Sequence, residues 1–507
     1  MSTLPNTFWQ QYQRFLHVTL LTETPHPLSS HLSEWAQQDL PKALDCLKII
    51  DLQALEAVAA QTTHLTQLTN AVQNTLQNGH RVFILGCGAS GRMAVSLEWL
   101  WRQSFPHQAK QVVGVIAGGD SALIRSIEQF EDHAAYGMKQ LQQQGFTAHD
   151  LLISTSASGE SRFIVQATLE AAALCHDKPW LIVCNPLEQL LARDPQHPCG
   201  SNSINTWPLV VGPMALTGST RMQTTTAMLV VIGLALLHPH QAKPLRDFIR
   251  FYQALDQTPL IPLIEQEASS YKNKRNVYYK LDSQVGVTAL TDVTERAPTF
   301  NCAPINNLLL NEPPAPYAVR IIGSKSAQQA WQQLLQREPI CLDWPQHPAT
   351  APEYLMGFDL SEDDLPFEVC HSRAGGNPEP FEITLNKNLL VLNYGTARWS
   401  LDVATLTPLF QQTLLKLLLN NHSTLVMGRL GHYRSNLMTF VSPSNAKLID
   451  RVIRTIQTYR EQQTGIKPEY KPLAEQVLAS MDSLKPNESL IEKFIGSSDD
   501  FIWLRRV

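Results

Sequence analysis

The strongest constraint on this chain's fold is a repeated pattern in its first half. Short apolar runs at residues 82–85, 112–116, 151–153, 181–184 and 209–211 each give way to turn chemistry, and helical stretches separate most of them. A chain that alternates strand and helix returns each strand as a parallel neighbour, with helices covering both faces. The expected fold class is therefore α/β. On such sheets ligands bind beyond the carboxyl ends of the strands, so the turns that follow these runs are where chemistry is expected.

With 507 residues the chain is too long for one ordinary core, and two domains with helical extensions are expected. After helical stretches at 243–255 and 260–271, a second cycle offers strand candidates at 277–281, 319–322, 340–342 and 389–392. Thr407 and Pro408 supply an N-cap and an N1 proline for an apolar helix running to about Asn420. The chain reads as helical before residue 80 and again from Asn445, with polar breaks at 485–487, and the turn-rich segment 371–379 reads as an inserted surface loop. The division expected is 1–55 (helical), 56–240 (first α/β domain), 241–440 (second) and 441–507 (helical).

Composition narrows the function. Apolar residues at 44% and charged residues at 17% describe a folded globular chain, and a net charge of −5 with both signs mixed gives no footprint for nucleic acid or membrane. The apolar stretch 227–237 is too short to span a bilayer and reads as a buried helix. Eight scattered cysteines without a CxxC pair, and an N-terminus lacking a signal-peptide core, fit the cytoplasm. His238-Pro-His240 has no carboxylate or Cys at ligand spacing and reads as a helix-ending loop, so neither a metal nor another cofactor is expected.

Three turns carry the chemistry. GCGASGR (86–92) lies between a strand and a helix, where glycines let main-chain N–H groups approach an anion and the helix start adds its positive end. It is neither a Walker A loop nor GxGxxG. STSASGES (154–161) places five hydroxyls in eight residues, again before a helix. LTGSTRM (216–222) opens a third. One such turn is equally a helix cap. Three at one sheet edge can surround a phosphate without a metal.

These motifs, with VIAGGD, IEQFED (127–132) and CNP (184–186), resemble the SIS-domain family of N-acetylmuramic acid 6-phosphate etherase and glucokinase regulatory protein, in its order and spacing. LTETPHPLSSHLSEW (21–35) and GHYRSNLMTFVSPSNAKLIDR (431–451) extend the resemblance over nearly the whole chain. It implies two flavodoxin-like, three-layer SIS domains fused as a pseudo-dimer. Phosphate would be held by the main chain of Gly88, Ala89 and Gly159 and by Ser90, Ser158, Ser161 and Ser219, with Lys447 adding charge.

The catalytic glutamates implied are divided between the halves. Glu131 matches one. The other falls at Leu100 in the first half, and Glu98 is about 200° away around the helix. In the second half DVTERAPTF (292–300) supplies Glu295, while the turn before its helix, LDSQVG (281–286), lacks the glycines and hydroxyls. Gln223 stands where the family usually has Lys, and Arg451 also matches a position near the sugar phosphate.

The implied chemistry is elimination. Glu131 takes the proton on C2, Glu295 protonates the C3 ether oxygen as D-lactate leaves, and water adds back to give N-acetylglucosamine 6-phosphate. The alternatives are a hexose-phosphate sensor that binds a sugar kinase, and an aldose–ketose isomerase. The expected partner is a phosphorylated amino sugar, with the chain a monomeric pseudo-dimer or a homodimer.

Overall fold

The computed structural model describes residues 4–16, 18–127, 130–312, 315–362, 379–441, 443, 445–481, 483–484 and 488–496. Five parallel strands form the first sheet: β1 (Val82–Gly86), β2 (Val112–Ile116), β3 (Leu151–Ser156), β4 (Trp180–Val183) and β5 (Asn205–Pro208). Their order is β2-β1-β3-β4-β5, the doubly wound order that opens a crevice beside β1 and β3. β1 and β3 are buried throughout, as strands covered on both faces must be. The run 209–211 is not the fifth strand. Pairing ends at Pro208, on an edge strand where a missing donor is tolerated, and only Leu209 N reaches on, donating to Val183 O at 2.7 Å.

The second sheet contains β6 (Val277–Leu281), β7 (Tyr317–Ile321), β8 (Pro380–Asn386), β9 (Leu389–Tyr394) and β10 (Ala397–Asp402), in the order β10-β9-β8-β6-β7. Its β6 pairs are parallel, but β8, β9 and β10 form an antiparallel meander. β8 and β10 were not foreseen. Both are half-buried alternating strands joined to β9 by two-residue turns, too short for a helix to intervene. The expected strand at 340–342 is also absent, because that stretch leaves the second sheet and crosses to the first half. The segment read as an inserted loop, residues 371–378, and the polar break at 485–487 lie outside the described residues.

Helices join the two sheets. Gly88–Ser104 packs on Gly286–Phe300, and Gln223–Leu237 packs on Pro408–Arg429. Gln223–Leu237 is apolar on nearly every side and buried from Gln223 to Leu236, consistent with its place at the centre. Pro408 opens its helix at N1 as expected, and the helix continues to Arg429. Helices flank both ends of the described chain, from Leu4–Leu16 to Leu490–Ile495.

Candidate functional site

The first two hydroxyl-bearing turns meet at the carboxyl edge of the first sheet, and the third sends Arg221 into a cleft that Ala89 of the first also lines. Gly86 ends β1 so close to the following helix that a Cβ there would lie 2.5 Å from Gly91 N. Gly88 opens that helix at φ 51°, followed by Ala89; Ser90 N donates to Cys87 O at 3.1 Å, and the N–H groups of Gly88 and Ala89 have no intrahelical partner. Ser90 Oγ accepts from Cys87 N at 3.1 Å and faces Cys87 O at 3.0 Å and Thr155 O at 3.2 Å, tying the first turn to the second.

In the second turn Gly159 has φ 79°, and its carbonyl meets His197 Nε2 at 2.7 Å. Ser158 Oγ accepts from Glu160 N at 3.3 Å. Ser161 stands at the N-cap of Arg162–Leu174 but makes no capping bond. Its hydroxyl lies 3.4 Å from Cys87 Sγ and 3.5 Å from the Glu131 carbonyl. In the third turn the hydroxyls of Thr217 and Ser219 are buried with no hydrogen-bond partner, a costly state that a ligand oxygen would relieve.

Charged side chains ring these turns. Lys447, from the helix Ala446–Thr464, pairs with Glu131 at 2.7 Å. The Lys447 ammonium outweighs partial burial and holds the Glu131 carboxyl below the usual glutamate range. Burial presses the Lys447 ammonium down, but Glu131 more than restores it, leaving it above the ordinary lysine value. One turn along, Arg451 pairs with Glu23 at 2.6 Å. Burial works against the Glu23 carboxylate, yet Arg451 keeps it below its usual range. This pair rests on Gly218, where a Cβ would come within 2.8 Å of Arg451 Nε, and Gly218 adopts φ 77°. Arg193 bridges Glu160 at 2.8 Å and Asp450 at 3.2 Å.

Asn185, of the CNP motif, accepts from Thr22 N at 3.0 Å and donates to Ala157 O and Ser158 O at 3.2 Å. It thereby ties the N-terminal segment to the second turn.

Glu295 enters from the second half on the helix Gly286–Phe300 and pairs with Arg92, both buried. With Ala89, Met93 and Ser96 on the facing helix, it lines a small cleft of about 30 Å³ that Arg221, Asp292 and Lys416 also border. Glu131 and Glu295 share no partner. Glu131 lies beside Cys87 and Lys447, and Glu295 beside Ala89 and Arg92, so the two flank the same glycine turn.

Behind Glu295, Arg221 pairs with Asp292 at 2.8 Å. Lys416 Nζ reaches Arg221 O and Thr226 Oγ1, each at 2.7 Å. Burial pulls the Lys416 ammonium down to about 7. Gln223 faces Asp51 at 3.3 Å and Ala215 N at 3.0 Å, and Lys416 from the other half joins Arg221 and Arg451 as a cation at the third turn.

Sequence reasoning did not single out Arg92, Glu23, Arg193, Arg221 or Lys416. Arg92 and Arg221 stand inside the quoted motifs and Glu23 inside the N-terminal one, so the signal was present. Glu98 points away from the site and pairs with Arg102 at 2.8 Å and Arg337 at 3.0 Å, as its helical position required. Among the described residues no group of His, Cys, Asp and Glu is placed to hold a metal ion.

The profile of the glucokinase regulatory protein N-terminal SIS domain matches residues 64–172. The chain is 31% identical over 216 residues to the N-acetylmuramic acid 6-phosphate etherase of Yersinia pestis (strain Pestoides F), covering 42% of this chain and 68% of that protein. The chain belongs to the N-acetylmuramic acid 6-phosphate etherase family. Family members of the same name from Synechococcus sp. (strain CC9605) and Prochlorococcus marinus (strain MIT 9303) are 38% and 36% identical over 208 and 215 residues, or 41% and 42% of this chain. The chain spans less than two thirds of the length of these two etherase relatives, 62% and 64%. Among solved structures, the C-terminal domain of glucosamine-fructose-6-phosphate aminotransferase from Francisella tularensis overlays 74% of this chain and 96% of its own at 12% identity. Its TM-score of 0.33 is too low to carry an argument.

Proposed function

We propose that this protein is a sugar-phosphate lyase of the etherase type, cleaving N-acetylmuramic acid 6-phosphate to N-acetylglucosamine 6-phosphate and D-lactate. The observation that carries the reading is the pair of carboxylates, one from each half, flanking one glycine turn beside three hydroxyl-bearing helix starts. The names of the etherase relatives support the substrate.

In this reading the first-turn amides and the hydroxyls of Ser158, Ser161 and Ser219 take the phosphate. The Ser219 hydroxyl is free to do so, whereas Ser90 must turn from the main chain. Lys447 keeps Glu131 ionised at neutral pH, as a base for the C2 proton requires. Glu295, freed from Arg92 and protonated from water as substrate binds, donates that proton to the departing ether oxygen and is left as the carboxylate. No group besides the chain's own side chains and water is needed. The chain then acts as two SIS-type units divided near residues 55, 240 and 440, the second lending its acid to the first. A cytoplasmic location fits cysteines scattered without a CxxC pair, and no described helix is long and apolar enough to cross a membrane.

The test is direct: purified full-length protein is incubated with the substrate and lactate is measured. No release over an enzyme-free control overturns the proposal. A second reading, a sugar-phosphate sensor that holds a sugar kinase, draws on the match to the regulatory protein's SIS domain. Sugar-phosphate-dependent capture of a kinase, without lactate release, would favour it.

A further inference from the structure

We propose that Trp344 and His347, from the second half, are positioning residues that hold the Glu131 segment in place. The inference rests on the etherase-type reading for its activity measurement and on geometry for everything else.

Glu131 sits in a turn, so no strand ladder or helix fixes it. Its carbonyl accepts from Phe163 N at 3.0 Å, and its carboxylate reaches Lys447. The neighbouring Phe130 is the anchor. It is buried, and its ring meets Tyr136 of its own half at 5.1 Å and two rings of the other half. Trp344 stacks on it with ring centroids 5.4 Å apart and planes 19° apart, while His347 meets it edge-on at 4.9 Å.

Both clamp residues are themselves fixed. Trp344 Nε1 donates to Gln143 Oε1 at 2.8 Å, and Lys139 Nζ lies 4.0 Å from its ring centroid. His347 Nε2 is 2.9 Å from Tyr136 Oη.

The strap that delivers them is fastened upstream. Arg337 joins Glu98 at 3.0 Å and Asp120 at 2.6 Å. Ile340 N donates to Asp120 Oδ2 at 2.6 Å, and Asp120 N donates to Ile340 O at 2.9 Å. This is the stretch expected to form a strand of the second sheet. It exchanges hydrogen bonds with the first half instead.

Stacked rings hold orientation as well as position, because offset and edge-on contacts have preferred geometry. A base displaced by about an ångström from the proton it abstracts can lose on the order of 100-fold in rate. A clamp on the adjacent residue therefore bears on turnover more than on substrate affinity.

The experiment compares full-length wild type with Trp344→Ala, Trp344→Phe and His347→Ala. It measures kcat and KM for lactate release and amide hydrogen exchange over residues 130–142. The expected result for Trp344→Ala is a fall in kcat of about 10- to 100-fold with KM changed less than about threefold, and faster exchange at 130–136. Trp344→Phe should restore most of both. Unchanged exchange, or faster exchange with kcat unaltered, overturns the proposal. If Trp344→Ala does not fold, His347→Ala decides by the same two measurements with smaller expected changes. If wild type releases no lactate, the etherase reading fails, and exchange alone decides the clamp: acceleration in the alanine variants and protection in Trp344→Phe support it.

Discussion

The turn after β1 and the turn after β6 stand at matching places in their sheets and behave in opposite ways. After β1, glycines bring main-chain amides to an open edge, and two further turns add hydroxyls, those of Thr217 and Ser219 unpartnered. After β6, Asp282 closes the turn on itself. Its Oδ1 accepts from Gln284 N at 2.9 Å, and its carbonyl accepts from Val285 N at 3.0 Å. Gln412 donates to Gln284 O at 2.8 Å, and buried Val285 occupies the place of Ser90. A turn that satisfies its own polar groups has little to offer an anion. The helix that follows it keeps two acids, Asp292 and Glu295, both aimed at arginines of the first half. In the function proposed above, anion binding falls to the first half and acid supply to the second, and neither half is sufficient alone.

The most severe break of this division is Glu131→Gln, which should lower kcat about 10²- to 10⁴-fold while leaving sugar-phosphate affinity nearly unchanged. The same residue gives a pH test. Lys447 depresses the Glu131 pKa, so the carboxylate form persists below the ordinary glutamate value, and the acid limb of kcat/KM should lie there. Lys447→Met removes the cation and should move that limb to higher pH. A limb that stays in place would sink the role given to Glu131.

Next in size is Arg92→Met, which strands Glu295 as a buried charge. It should cost about 3–5 kcal/mol in urea unfolding, with part recovered by adding Glu295→Gln. A loss under about 1 kcal/mol would place the ion pair outside the folded core.

Ser219→Ala comes third. A hydrogen bond to a charged group contributes about 1.5–3 kcal/mol, so sugar-phosphate Kd should rise at least about tenfold by calorimetry. The melting temperature of the free protein should not fall, because that hydroxyl has no partner to lose. Unaltered affinity would remove Ser219 from the site.

The smallest expected change is none. Val285→Ser restores a hydroxyl to the second turn, but Asp282 and Gln412 still close it, so calorimetry should give one sugar phosphate per chain. Two would show that the second turn had stayed competent.

Much of this was legible in the sequence because the carriers are local. A strand, a glycine turn and a helix start lie within a dozen residues around Gly86, and the same holds around Ser158, whereas around Ser219 only the turn and the helix start are adjacent. Family membership and the α/β class followed from those stretches, and each half could be matched to the other by counting from Leu281 to Glu295. Long-range partnerships were not legible. Arg92 meets Glu295 about two hundred residues away, Glu23 meets Arg451 across almost the whole chain, and nothing in either neighbourhood declares its partner. The 340–342 stretch misled because an apolar run shows that it will be buried without showing against what. β8 and β10 were missed because their alternating patterns are short and their turns tight.

The helix Gln223–Leu237 has a final consequence. In an assembly of separate subunits, contacts like those it makes with Pro408–Arg429 would form and dissolve with concentration. Here both partners lie on one polypeptide, which keeps them at millimolar effective concentration however dilute the solution. Dilution cannot part them. Ending the chain near residue 240 would instead uncover an apolar face roughly 22 Å long, the one that Pro408–Arg429 covers. The first half is therefore not a portable module, and an isolated fragment of it should precipitate rather than bind.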